Sequence, residues 1–386
     1  MNPHTPSAAD GSLDRRTWIK NVAAAGVAFA GLGRSAMAHP QDSRAAAPGK
    51  LRILVLGGTD FLGPKIVESA LARGHKVTLF NRGRTNPSLF PEVEKLKGDR
   101  RKGDYESLKG DRSWDVIVDT SAYFPRQVKE IADLLAKRAT HYVFISTISV
   151  YPDADGADTD EATPVGKIAD EAVEKITGET YGPLKALCEQ AAEKAWPGKT
   201  TNIRPGLIVG DGDNTDRFSY WPVRVAEGGE VLAPIGPDET LQWVDVKDLG
   251  LWTVKTAEEK IFGVFNAVGP TVKLGDLLQA CKKASGSDAT FTYVSREFLE
   301  KEKVAPWADL PVWIPRGEGK ERNAVCSGAK AAFLGLGFRS PEESAKDALA
   351  YEKTRPKEKR RGGGLSRERE KALLQKWKEQ AVKTPK

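Results

Sequence analysis

Apolar runs of strand length alternate with segments of helical period through the first half of the chain. Leu51–Leu56 reads Leu-Arg-Ile-Leu-Val-Leu and runs into Gly57-Gly58, the pattern of a buried strand that stops at a turn. Phe61–Arg73 carries the period of an amphipathic helix and ends at Gly74, a residue suited to closing one. Lys76–Phe80 predicts a second strand. Trp114–Asp119 and His141–Ser146 predict two more, with an amphipathic helix at Arg126–Arg138 between them. This alternation predicts an α/β fold, a doubly wound parallel sheet with helices on both faces. After Ile203 the texture changes to Gly-, Pro- and Asp-rich turns from 205 to 239, then mixed segments and a charged helix near 366–382. The expected organisation is a core over 51–200, an elaborated region with the remaining core elements over 201–355, and a charged C-terminal tail over 356–386.

Composition narrows the class. The 386 residues, 40% hydrophobic and 29% charged, suffice for a sizeable globular core. The net charge of +6 comes partly from the chain ends. The basic run Lys353–Lys386 reads as a solvated segment rather than a nucleic-acid surface, having one aromatic after Tyr351 and no reading motif, so no nucleic-acid partner is expected. Three cysteines without a C-x-x-C and four scattered histidines support neither a disulfide framework nor a metal site. At the N-terminus, Asp-Arg-Arg-Thr-Trp-Ile-Lys at 14–20 precedes a Gly/Ala-rich apolar run from Asn21 to Gly33 and the small-residue site Ala36-Met37-Ala38. The run is too short for a membrane span. Paired arginines before it resemble a twin-arginine export signal. Residues 1–38 are therefore expected to engage the twin-arginine export machinery and be cleaved after Ala38, leaving 39–50 as a linker and the protein in the periplasm or otherwise exported.

Gly57-Gly58-Thr59-Asp60-Phe61-Leu62-Gly63 stands between the first strand and first helix, where a Rossmann fingerprint holds a dinucleotide pyrophosphate on backbone N–H groups. Asp60 occupies the middle position in place of glycine; it reads as the helix N-cap or as a contact to a ribose hydroxyl. The second strand ends in Asn81-Arg82-Gly83-Arg84, without the acidic residue that takes a ribose 2′-hydroxyl. Arginines there lean toward a 2′-phosphate, and so toward NADP over NAD. Asp99 is placed to contact the adenine.

Tyr181-Gly182-Pro183-Leu184-Lys185 puts a phenol and an ammonium on one helix face, a spacing that can lower a tyrosine pKa and provide a general base. Ser146-Thr147 closes a buried strand. Together with the glycine loop, Phe144–Tyr151, Arg204-Pro205-Gly206 and Trp243–Asp248, these residues resemble the extended short-chain dehydrogenase/reductases, the NAD-dependent epimerase/dehydratase family, from about Leu51 to Arg355. The resemblance implies a Rossmann-type fold, Tyr181 as general base and acid, Lys185 on the nicotinamide ribose and lowering the Tyr181 pKa, and Thr147 bonding the reacting hydroxyl. Arg204-Pro205-Gly206 and Asp248 read as a strand end and a helix cap. Dehydratases of that family carry Asp-Glu directly after the threonine; Ile148 and Ser149 stand here, which argues against water elimination.

The implied activity is epimerisation, or net oxidation and reduction, of a sugar or sugar-like carbinol. An exported enzyme would favour a tightly bound cofactor and free sugars, glycosides or polyols as substrates. Arg217, Tyr220 and Trp221 read either as substrate-pocket residues or as packing, and Trp307 and Trp313 pose the same choice. A competing expectation comes from relatives that keep the fold without catalysis, as nucleotide sensors or as plant chloroplast stem-loop RNA-binding proteins. The oligomeric state is left open.

Overall fold

The computed structural model describes residues 49–152, 158–315, 325–356 and 363–383. The expected export signal at 1–38 lies outside the described residues. Seven parallel strands form the central sheet: β1 (Arg52–Leu56), β2 (Lys76–Asn81), β3 (Glu94–Lys97), β4 (Val116–Asp119), β5 (His141–Ile145), β6 (Thr200–Pro205) and β7 (Gly263–Ala267), in the order β7-β6-β5-β4-β1-β2-β3. Parallel strands covered on both faces must be apolar throughout. In β1, Ile53 and Val55 enter one core while Leu54 and Leu56 enter the other.

Helices α1 (Leu62–Ala72) and α5 (Val246–Glu258) cover the first face; α2 (Pro125–Leu135) and α3 (Gly178–Ala195) cover the second. Gly250 of α5 packs against the Lys65 backbone, where a Cβ would sit 2.8 Å from Lys65 carbonyl carbon. The expected cap Asp248 does not cap α5. Asp245 does, its side chain accepting from Lys247 N–H at 2.9 Å, while Asp248 in the first turn accepts from Arg339. Arg204 ends β6 as expected, paired with Glu189 of α3 at 2.6 Å.

The C-terminal region has its own core, built from α4 (Tyr220–Ala226), α6 (Leu274–Ser285), α7 (Pro341–Thr354), α8 (Arg367–Lys383) and a parallel strand pair at 230–234 and 290–294. The basic terminal segment is not simply solvated. Glu370, Leu373 and Leu374 share one face of α8 at i, i+3 and i+4 spacing, and all three are buried. The charged helix expected near 366–382 is present, and Glu370 on it accepts from Arg224 Nε at 2.6 Å and from Leu232 N–H at 3.0 Å, a buried paired carboxylate that the charge density of the segment did not reveal. Among the described residues no helix is long and apolar enough to cross a membrane. The three cysteines are free and buried.

Removing one partner of a buried ion pair leaves the other charged and unpaired. Glu370→Ala is expected to lower stability by about 3–5 kcal/mol, with part of the loss recovered when Arg224→Met is added. Urea denaturation of the single and double variants measures this; a single-variant loss below about 1 kcal/mol would mean that α8 does not depend on the pair.

Candidate active site

The C-terminal ends of the strands open into a cleft of about 920 Å³, lined by residues 57–62, Asn81, Arg82, Asp99, Thr147, Tyr181 and Lys185. The glycine loop is shaped by steric exclusion. Gly57 and Gly58 hold φ of 112° and 87°, and a Cβ on Gly58 would stand 2.7 Å from Leu79. Gly63 lies behind the lining, where a Cβ would meet the Gly58 Cα at 2.6 Å. Asp60 is not the helix cap: Phe61 occupies that position with φ 33° and no side-chain bond. The Asp60 carboxylate instead faces solvent and accepts from Asn214 Nδ2 at 3.1 Å. Asn81 braces the loop, donating to Gly57 O at 2.9 Å and accepting from Gly83 N–H at 2.8 Å. The first turn of α1 has no acidic side chain, so its backbone N–H groups offer a positive end to the cleft.

Sequence reasoning missed the base of the cleft. Arg100 lies under it, donating to both oxygens of Asp119 at 2.6 and 2.8 Å. Tyr142 O–H and the N–H groups of Ser121 and Ala122 complete the carboxylate's shell. Burial works to raise the Asp119 pKa, but Arg100 beside it and the Tyr142 bond hold it below the usual carboxylate range. The available signal was Asp119 itself, a charge closing a wholly apolar strand. Tyr123, 44% exposed, and Ser146 also line the cleft; the buried Ser146 Oγ has no hydrogen-bond partner among the described residues.

Tyr181 and Lys185 share a face of α3, as their spacing predicts, but the expected coupling is absent. Lys185 Nζ turns inward and donates to Ile145 O at 2.6 Å and Ala122 O at 2.9 Å, tying the end of β5 to the loop after β4. Burial pushes its pKa down to about 8. The Tyr181 pKa is raised rather than lowered: burial dominates, the nearby Tyr123 adds to it, and only the Thr147 hydroxyl opposes it. The Tyr123 and Tyr181 ring centroids are 6.3 Å apart. Burial thus makes the Tyr181 phenol harder to ionise than a free tyrosine.

The expected substrate residues do not reach the cleft. Trp221 is fully buried in the C-terminal core with its indole N–H on Pro311 O at 2.7 Å, and Tyr220 packs edge-on beside it. Arg217 is exposed and sits over the Trp307 ring at 5.2 Å. Aromatic residues at helical spacing were filling a core. Trp313 is buried in the same core.

A model of the NAD dependent epimerase/dehydratase family matches residues 53–267, more than half of the chain. The chloroplast stem-loop binding protein of 41 kDa b from Arabidopsis thaliana is 26% identical over 293 residues, covering 68% of this chain and 72% of that protein. The epimerase family protein SDR39U1 from Homo sapiens is 27% identical over 238 residues, covering 57% and 75%. Among solved structures, the Bordetella bronchiseptica enzyme WbmH in complex with NAD+ has a TM-score of 0.56 at 18% identity, covering 79% of this chain and 99% of that one. UDP-glucuronic acid 4-epimerase from Bacillus cereus in complex with NAD has a TM-score of 0.57 at 16% identity, covering 78% and 98%. At these identities the solved structures establish the fold.

A lysine whose folded pKa lies below its unfolded value binds fewer protons when folded, so stability rises with pH between the two values. For Lys185 that window runs from about 8 to the ordinary 10.5. The gain across it is expected to be about 3 kcal/mol at most, and neutral Lys185 still has two hydrogens for its two carbonyls. Lys185→Met should flatten the slope of stability against pH in that window; an unchanged slope in urea melts at pH 8 and 10.5 would contradict the assignment.

Proposed function

This chain belongs to the NAD dependent epimerase/dehydratase family, and from that premise we propose that it is a nicotinamide-dinucleotide-dependent epimerase or oxidoreductase acting on a sugar or sugar-like carbinol. The observation that carries the reading is convergence: Thr147, Tyr181 and Lys185 line the same cleft as the glycine loop. The loop residues fit a dinucleotide. Gly57 and Gly58 leave the backbone bare at the end of β1, and Gly63 brings α1 close behind them.

In this proposal residues 57–63 hold the pyrophosphate, Arg82 and Arg84 take a ribose 2′-phosphate, and Asp99 faces the adenine. The two arginines line the rim and are exposed, with Asn81 committed to the loop, which supports NADP over NAD. When bound, the nicotinamide supplies the hydride chemistry. Tyr181 moves the proton of the reacting hydroxyl and Thr147 orients it. Lys185 acts from beneath, fixing the Ile145 carbonyl at the end of β5 and the Ala122 carbonyl in the loop after β4, where they shape the nicotinamide end of the cleft. Ile148 and Ser149 offer no acid and base pair for dehydration, so the net reaction is epimerisation or a change of oxidation state.

Export through a twin-arginine signal at 1–38 is part of the same proposal. It favours a resident, tightly held cofactor, with free sugars, glycosides or polyols as substrates. An RNA-binding role takes its support from the name of the Arabidopsis relative. Against it, several cations of the basic C-terminal helix are already paired: Arg369 with Asp309, Lys376 with Glu302 and Lys378 with Glu230.

Denaturing the purified protein and identifying the released nucleotide by mass spectrometry tests the reading. Stoichiometric NADP that survives dialysis is the expected result, and Arg82→Ala should shift the content toward NAD. Tyr181→Phe should keep the nucleotide and lower turnover about 10²–10⁴-fold. A protein that retains no nicotinamide nucleotide and binds a stem-loop RNA in a steeply salt-dependent way would replace this proposal with the RNA-binding one.

A further inference from the structure

Hydrogen-bond polarity is sorted along the glycine loop. Its oxygens are occupied: Gly57 O accepts from Asn81 Nδ2, Thr59 O from Asn86 Nδ2 and Asp60 O from Gly63 N–H, each at 2.9 Å. The Asp60 carboxylate, the one negative charge on the loop, accepts from Asn214 Nδ2 at 3.1 Å. The backbone N–H groups of Gly58, Thr59, Asp60, Phe61 and Leu62 donate to nothing among the described residues. Oxygens tied down and N–H groups left over are what an anion needs from a loop at a helix N-terminus.

Asn86 is the member of this set that no motif announced. It stands 27 positions after Thr59, is exposed, and does not line the cleft. Its backbone holds φ 42°, a left-handed value that asparagine tolerates better than most side chains, and its carbonyl closes a turn on Leu89 N–H at 3.1 Å. In a planar trans peptide the C=O and the following N–H point in opposite directions. Fixing the Thr59 carbonyl on Asn86, outside the cleft, therefore turns the Asp60 N–H away from Asn86. Asn81 does the same one step earlier, holding Gly57 O and so turning the Gly58 N–H.

We propose that Asn86 is a positioning residue for nucleotide binding: by holding the Thr59 carbonyl outward, it presents the Asp60 N–H and its unpaired neighbours to the pyrophosphate of a dinucleotide. This role presupposes the dinucleotide reading of the cleft. Asn86 itself touches no ligand, and its effect is confined to the pyrophosphate. Arg82 and Arg84 act at a different point, the ribose 2′-phosphate. The two kinds of contact can therefore be separated by the choice of ligand.

The test compares NADP, NAD and adenosine 2′-phosphate on the full chain; the last carries the 2′-phosphate without a pyrophosphate. Affinity is read by competition, with NADPH exchanged into the cleft as the fluorescent reporter. Asn86→Gly keeps the left-handed backbone and deletes the amide. It should weaken NADP and NAD alike, about tenfold, and leave both adenosine 2′-phosphate affinity and the urea midpoint of the nucleotide-free chain unmoved. Asn86→Asp keeps the shape but sets an acceptor against the Thr59 carbonyl, and should weaken both dinucleotides about a hundredfold. Arg82→Ala should give the opposite pattern, weakening NADP and adenosine 2′-phosphate while sparing NAD. Asn86 has no such role if Asn86→Gly binds both dinucleotides as the parent does, if it loses adenosine 2′-phosphate by the same factor, or if Asn86→Asp binds no worse than Asn86→Gly. A parent chain that binds neither NADP nor NAD overturns the dinucleotide reading, and the Asn86 role with it.

Discussion

A carboxylate with no solvent exposure ends the central strand of the sheet, and the floor of the cleft depends on how its charge is met. Asp119 buried alone would cost several kcal/mol, about as much as a small domain can tolerate. Arg100 meets it with two parallel N–H bonds, Tyr142 with a hydroxyl, and Ser121 and Ala122 with backbone N–H groups. This shell fixes the chain from Thr120 to Tyr123. The Ala122 carbonyl thereby stands where Lys185 can reach it, and the Lys185 bond to Ile145 O sets the end of β5 from which Thr147 projects. Two buried cations thus fix the backbone around the Thr147 end of the cleft.

Close backbone approach is the second constraint. At Gly58 against Gly63 it brings α1 onto the end of β1, leaving its positive N-terminus facing the cleft. At Gly182 against Ser149 it sets Tyr181 beside the turn at Ile148–Val150. Both contacts exclude even a methyl group. Phe61, at φ 33°, carries the backbone strain that the turn between them demands.

The C-terminal region is joined to this site by polar contacts through one loop. Asn214 of the loop bonds Asp60 in the glycine loop, and Asp211 pairs with Lys65 of α1 at 2.8 Å. The same loop is held from the far side by Arg355, which grips Asp216. Farther back, α8 is locked by the buried pair of Arg224 and Glu370, and the bend before it reaches Tyr220, where a Gly364 Cβ would clash. The described residues of the chain end therefore support the wall that faces the glycine loop, although none of them lines the cleft.

Local pattern determined the parallel core. Apolar runs of strand length, bounded by turn residues, fit strands covered on both faces, so β1, β2, β4 and β5, the glycine loop and α1 were legible to within a few residues. The same held for Thr147, Tyr181 and Lys185, because strand ends and i, i+4 spacing put them on one cleft. Tertiary structure decided what those residues do. Lys185 is long enough to reach either the phenol or the strand-end carbonyls, and only the packed geometry selects the carbonyls. Arg100 with Asp119, and Arg224 with Glu370, are partners separated by 19 and 146 positions, so no window along the chain contains both charges. Trp221 and Tyr220 look like sugar-stacking residues in sequence because burial is a property of the surroundings. A residue type and its spacing follow from the chain; a partner, a protonation state and a solvent-facing side exist only once distant segments have met.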